Sequence, residues 1–320
     1  MNVLTLIENW NGEFKKTSLE TLSYGRKIAN QSNQKLVVLT LGGNNCEQIQ
    51  EYGADKIINI QNLDFEKTTN EMLSNICIKF IKEYDVSTTI ISNTNTGKSI
   101  SPLIAHHLNH GLITNAISLP ESQKPLIVQC KGFSGKAHVK YQSNYTSNII
   151  TIIPNSIGEI TPKEGEGELL NIEYDINEEE KNIKIISRNK SSEKISLSDA
   201  NIVVSAGRGL KAPENWTMIE ELAELLGAGT ACSKPVSDMG WRPHSEHVGQ
   251  TGIAINPDLY IAIGISGAIQ HLAGVNSSKH IVVINTDAEA PFFKAANYGI
   301  VGDAFEVVPK LIEELKKYKS

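Results

Sequence analysis

A chain of 320 residues that is 40% hydrophobic and 21% charged has ordinary globular composition and room for two domains of usual size. Its formal net charge of −6 argues against a partner held through nucleic-acid phosphates, and no apolar stretch approaches the ~18 residues of a membrane span. The four cysteines, Cys46, Cys77, Cys130 and Cys232, lack C-x-x-C spacing, which predicts reduced thiols with neither a disulfide framework nor a zinc site.

Met1 runs within two residues into an apolar strand with no basic leader or arginine-rich transit segment before it. The expectation is a cytoplasmic, bacterial-type protein, with a mitochondrial matrix location only if a transit peptide has been removed. Residues 3–7, 36–39, 56–60 and 88–91 read as strands, and residues 18–33, 47–52, 67–82 and 99–110 as helices between them, the first capped by Ser18. That alternation predicts right-handed βαβ units on a parallel sheet. From about residue 114 the helices stop, and 113–119, 126–128, 137–140 and 148–153 read as an antiparallel appendage. Residues 154–198 are turn-rich and charged and form a connector, with β-like runs at 171–176 and 182–186.

The α/β rhythm restarts at residue 199. A strand over 202–205 enters Ala206-Gly-Arg-Gly-Leu210. A helix follows at 215–226, ended by Gly227 and Gly229, then a short strand at 228–232 leading into Ser233 and Lys234. Two β-branched runs, 259–265 and 280–284, have the length of buried parallel strands, and each stops in a polar cluster. Strand ends of this kind form the ligand crevice of an open parallel sheet. A last strand at 300–303 and a helix at 307–318 close the chain.

Arg208 between two glycines can hold an anion, and Val248-Gly-Gln-Thr-Gly252 is a glycine loop that reads equally as a turn or as a ligand contact. Ser266, Gln270 and His271 begin a helix at a strand end, where an imidazole and a helix N-terminus favour negative charge. Asn285 and Asp303 at strand ends suit ribose hydroxyls or an adenine edge, or else form turns. His244 and His247 flank Glu246 without metal-site spacing and read as solvated loop residues. Asn93-Thr-Asn-Thr-Gly-Lys-Ser99 lacks the lead glycine of a phosphate-binding loop, and His106, His107 and His110 read as surface or core residues. Neither paired catalytic carboxylates nor an activated nucleophile stands out, so a held cofactor is the expected source of chemistry.

The run Leu259 to Gly274, with the 248–252 loop before it and Asn285-Thr-Asp-Ala-Glu-Ala-Pro291 after it, closely resembles the electron-transfer flavoprotein α subunit. The resemblance is specific over 200–312 and looser before that. It implies an N-terminal α/β domain of the nucleotide-hydrolase type (1–198, with the connector) and a C-terminal Rossmann-like FAD domain (199–320). Arg208 would then meet the FAD phosphates or the flavin side of the crevice, and Ser233 and Lys234 would lie beside the isoalloxazine ring. Gln250 and Thr251, in the loop with Val248 and Gly249, would hydrogen-bond that ring. Ser266 and Gln270, with Gly267, Ala268 and Ile269 between them, would serve the pyrophosphate and ribityl region. His271 would sit by the ring's O2, and Asn285 and Asp303 would take the adenosine half. Lys234 departs from the arginine usual in the family, which keeps the charge and loses the planar fork. The resemblance further implies an obligate β subunit packed on the first domain, acyl-CoA dehydrogenase-type donors, a membrane quinone oxidoreductase as acceptor, and a carrier rather than a stand-alone enzyme. The alternatives are an electron-bifurcating, NADH-oxidising form and a non-redox nucleotide-binding module.

Overall fold

The computed structural model describes residues 1–133, 137–162, 165–188, 197 and 199–319. The chain divides into two compact units, residues 1–132 with 138–189, and residues 133–137 with 190–320.

The first unit alternates β1 (Asn2–Leu6), α1 (Lys16–Ser32), β2 (Leu36–Leu41), α2 (Glu47–Glu51), β3 (Lys56–Ile60), α3 (Asn70–Glu83), β4 (Val86–Ser92) and α4 (Asn95–Leu108). β5 (Gly111–Ala116), β6 (Leu126–Gly132), β7 (Ala137–Ser143), β8 (Asn148–Ile152) and β9 (Glu168–Ile172) follow. Among the described residues they build a ten-stranded sheet in the order β7-β6-β5-β8-β4-β1-β2-β3-β9, with a short strand at Ser122–Gln123 on β6. The strand residues alternate between two cores. Leu4, Leu6, Val37 and Leu39 pack toward α3 and α4, while Val3, Leu36 and Val38 pack toward α1. Both faces are thus buried, as parallel strands require.

Three expectations are corrected here. The stretch from 111 to 152 is no separate appendage: β8 inserts parallel between β4 and β5, and antiparallel pairing begins only where β6 meets β5. The change in sequence rhythm marks the loss of helical crossovers, not the end of the sheet. Part of the connector is structural too, because Glu168–Ile172 pairs parallel with β3 as an edge strand, whereas 182–186 forms no strand. The connector's residues 163–164, 189–196 and 198 lie outside the described residues. Ser18 is the third residue of α1, not its cap, and its hydroxyl donates to the Glu8 carbonyl. Lys15 holds the cap position, and its side chain makes no capping hydrogen bond. The caps that do form are Thr69 on Met72 N–H and Thr94 on Gly97 N–H, and the latter is how the 93–99 segment is used.

The second unit is a five-stranded sheet in the order β11-β10-β12-β13-β14, all parallel: β10 (Ile202–Ala206), β11 (Gly229–Cys232), β12 (Leu259–Ile263), β13 (His280–Asn285) and β14 (Tyr298–Val301). α5 (Thr217–Leu226) and α8 (Ala304–Lys319) cover one face with Trp216, Ile219, Leu222 and Val308. Tyr260, Val283, Phe292 and Val275, the last on α7 (Ile269–Val275), fill the other. Gly227 ends α5 in the left-handed conformation, while Gly229 opens β11 rather than closing the helix. The chain leaves β10 toward β11 on one side and later continues from β12 toward β13 and β14 on the other, so the topological switch lies between β10 and β12.

Candidate cofactor cleft

At the switch, the loops leaving β10 and β12 touch through backbone. Gly207 N–H donates to the Ile263 carbonyl at 2.9 Å, and Gly209 N–H to the Gly264 carbonyl at 3.1 Å. A Cβ placed on Gly209 would stand 2.6 Å from Gly264 Cα, and Gly264 itself has φ +60. Only glycine fits at this crossing, and the result is a notch that opens into a cleft of about 610 Å³. That volume is in the range of small-molecule sites.

The wall opposite is the 247–252 loop. Val248 N–H bonds the Cys232 carbonyl at the end of β11, and Gln250 N–H bonds the Gln270 carbonyl at 2.7 Å, which ties the loop to α7. Gly274 of α7 meets Gly249 so closely that an added Cβ would lie 2.5 Å from the Gly249 nitrogen. The side chains of Gln250, Thr251, Ser266 and Gln270 remain exposed. α6 (Lys234–Asp238) adds Lys234 and Asp238 to the rim, with Ser233 buried just before it. Arg208 and Lys234 are the cations of the cleft; Asp238 and Asp287 are its carboxylates.

The cleft brings together Arg208, Ser233, Lys234, Val248, Gly249, Gln250, Thr251, Ser266, Ala268, Gln270, His271 and Asn285. Three anticipated residues lie elsewhere. Gly267 turns against Phe292 at φ +81, Ile269 projects outward with 57% exposure, and Asp303 caps α8 by accepting from Phe305 N–H at 3.0 Å. Asn285 lines the cleft but spends its amide locally: it donates to the Ile265 carbonyl and accepts from Asp287 N–H. Gly209, Gly264, Ile265 and Asp287 also line the cleft, and the repeated glycines at strand ends were the sequence signal for the first two.

His271 is buried. Its Nε2 lies 2.8 Å from the Tyr260 hydroxyl, and its Nδ1 is buried on the side of the Val248 carbonyl. Burial, with His247 adding to it and the Val248 carbonyl opposing it, lowers the imidazole to about 4, so at neutral pH it is an uncharged hydrogen-bonding group rather than a cation. Tyr260 is wholly enclosed, and burial raises its phenol far above the usual range, so it keeps its proton and can donate it to Nε2. The ring proton then sits on Nδ1.

The expectation for His247 is overturned. It is 2% exposed, not solvated, and it lines the cleft with its Nδ1 buried and unpartnered. Its neighbour Glu246 is buried as well, in a two-pronged ion pair with Arg242 at 2.7 and 2.8 Å. Arg242 also reaches Glu220 at 2.9 Å and lies over the Trp216 ring. Burial raises the Cys232 thiol to about 12, so it is no nucleophile.

A parallel-sheet domain with a notch of paired glycines, two cations and a row of amide and hydroxyl groups at its strand ends defines a dinucleotide-binding protein. Residues 196–276 match the model of the electron transfer flavoprotein FAD-binding domain, and residues 3–175 match that of the electron transfer flavoprotein domain. Similarity to electron transfer flavoprotein subunit alpha of Bacillus subtilis is 36% identity, covering 98% of this chain and 97% of that protein. The subunit alpha of Thermoanaerobacterium thermosaccharolyticum is 35% identical with the same coverages, and the mitochondrial one of Dictyostelium discoideum is 34% identical over 99% of this chain and 92% of its own. The chain belongs to the electron transfer flavoprotein α-subunit family, and its cofactor is FAD. The residues present fit that group: the two cations answer a diphosphate, the glycine notch admits close approach, and the amide and hydroxyl side chains of Gln250, Thr251, Ser266 and Gln270 stay open to it.

Proposed function

We propose that this chain is the flavin-carrying subunit of a heterodimer with an electron transfer flavoprotein β subunit. The heterodimer relays single electrons from acyl-CoA dehydrogenase-type flavoenzymes to a membrane quinone oxidoreductase. FAD supplies the one-electron chemistry when bound. Arg208 meets the diphosphate or the flavin side of the cleft, and Lys234 lies with Ser233 beside the ring. Gln250 and Thr251 orient the ring from the 247–252 loop, Ser266 and Gln270 bind the chain that joins the two halves, and His271 lies beside a negatively charged ring edge. The observation that carries the reading is the composition of the cleft: two cations and a row of amide and hydroxyl groups around a glycine notch at the strand ends.

Docking of the β subunit on the first unit is supported by exposed large apolar side chains there, including Leu103, Tyr141 and Tyr145. The carrier's proposed location is the cytoplasm; no described helix is long and apolar enough to cross a membrane. The test is co-expression with the partner subunit, flavin counting per heterodimer, and reduction by an acyl-CoA dehydrogenase with its substrate. A pair that purifies without FAD in this chain, or whose FAD is not reduced, overturns the proposal.

A further inference from the structure

His247 is the one imidazole besides His271 that lines the cleft among the described residues. Its Nδ1 is sealed and has no protein partner. Its Nε2 edge faces Gly249, where an added Cβ would lie 3.4 Å from Nε2 and 3.6 Å from His271 Cα. The two histidines thus both adjoin the same glycine of the cleft wall. The backbone at His247 is also held. Ile253 N–H bonds the His247 carbonyl, and the Arg242–Glu246 clamp fixes the residue before it. A buried imidazole in the wall of a cleft, with its Nε2 edge toward that wall's glycine, responds to the charge of whatever fills the cleft.

We propose that His247 is a second imidazole of the cofactor cleft and that it takes up a proton when the negatively charged dinucleotide binds. This rests on the FAD reading of the cleft. The charges around His247 come from each element packed on it: Lys234 and Asp238 on α6, His244 and the Arg242–Glu246 pair in its own loop, and His271 on α7. Without ligand, burial first, then His244 and Lys234, hold the imidazole below its ordinary range, and Asp238 opposes them. A dianionic ligand acts in the same sense as Asp238 and raises it. The bound form therefore holds a proton that the free form lacks, and affinity increases as pH falls between the two values.

The experiment uses the full chain with its partner subunit, stripped of flavin and titrated with FAD. Calorimetry near pH 6.5 in two buffers of different ionisation enthalpy counts the protons taken up, and fluorescence quenching gives the affinity from pH 5.5 to 7.5. Wild type is expected to take up a fraction of a proton and to bind about threefold to tenfold more tightly at the acid end, since one proton taken up strengthens binding by at most about tenfold for each step of one in pH. His247→Gln is expected to lose both effects, and His271→Gln to keep them. A wild-type proton count of zero overturns the inference, even if His247→Gln does not fold. So does a His247→Gln profile that superimposes on wild type, or loss of the pH dependence in His271→Gln alone. Failure of stripped wild type to rebind FAD overturns the cofactor site itself.

Discussion

The Tyr260 hydroxyl and His271 Nε2 lie 2.8 Å apart, with Phe292 stacked on the phenol at 6.2 Å and set edge-on to the imidazole at 5.7 Å. A residue of a central strand therefore sets the tautomer of a cleft residue, and the aromatic contacts fix the ring plane. Tyr260→Phe removes the hydroxyl and leaves a buried nitrogen unpaired, which is expected to cost about 1–3 kcal/mol in denaturant unfolding. The flavin's first one-electron potential should fall in the same direction as in His271→Ala. Spectroelectrochemical titration of both variants checks this; an unchanged potential in both removes the imidazole from that role.

The burial of His271 also makes stability depend on pH. Its folded value of about 4 lies below the usual 6.5, so between those values the unfolded chain binds the extra proton. Stability is then lost as pH falls from 6.5 toward 4, by up to about 3 kcal/mol. His271→Gln should flatten that part of the curve. Urea unfolding of wild type and variant at pH 7 and pH 4.5 compares the two slopes.

Gly264→Ala would push a methyl group to 2.8 Å from Gly209 Cα at a residue with φ +60. The expected penalty is about 2 kcal/mol or more, because a left-handed conformation and a backbone clash coincide. The flavin-to-protein absorbance ratio should drop along with the melting temperature. A variant that retains full flavin content would show the notch to be irrelevant.

Arg242 and Glu246 form a mostly enclosed pair, with side-chain exposures of 15% and 12%. Arg242→Ala strands the carboxylate and is expected to destabilise by about 2–4 kcal/mol, whereas the double change Arg242→Met with Glu246→Leu should recover part of the loss. Thermal melts of the three proteins decide it. A double variant no better than the single one would mean that the packing around Trp216, not the charge, is what Arg242 supplies.

Lys234 is exposed at the rim, so its contribution is a screened point charge. Lys234→Ala should weaken FAD binding by about threefold to tenfold at low ionic strength, worth roughly 1 kcal/mol, and by less at high salt. Lys234→Arg should bind at least as tightly as wild type. A loss that does not change with salt would argue for a packing role.

The sheet of the second unit was readable in the sequence because its strands are short β-branched runs that break off at Arg208, Ser233, Ser266 and Asn285, and burial forces the apolar pattern. The first unit was harder. Asn148–Ile152 carries no mark of the two strands it separates, because insertion into a sheet is a tertiary event. His247 was missed for a different reason. Its neighbourhood of proline, serine and charged residues is typical of a solvated loop, and long-range contacts, Arg242 with Glu220 and Val248 N–H with the Cys232 carbonyl, hold that loop inward. Asp303 shows a different point: an acid after a strand reads as a ribose ligand, and in the structure it also caps the helix that begins at the next residue.

The back-to-back placement of Gly209 and Gly264 has a corollary. Because main chain meets main chain at this crossing, a side-chain replacement elsewhere around the cleft leaves the notch in place, and its width belongs to the fold itself.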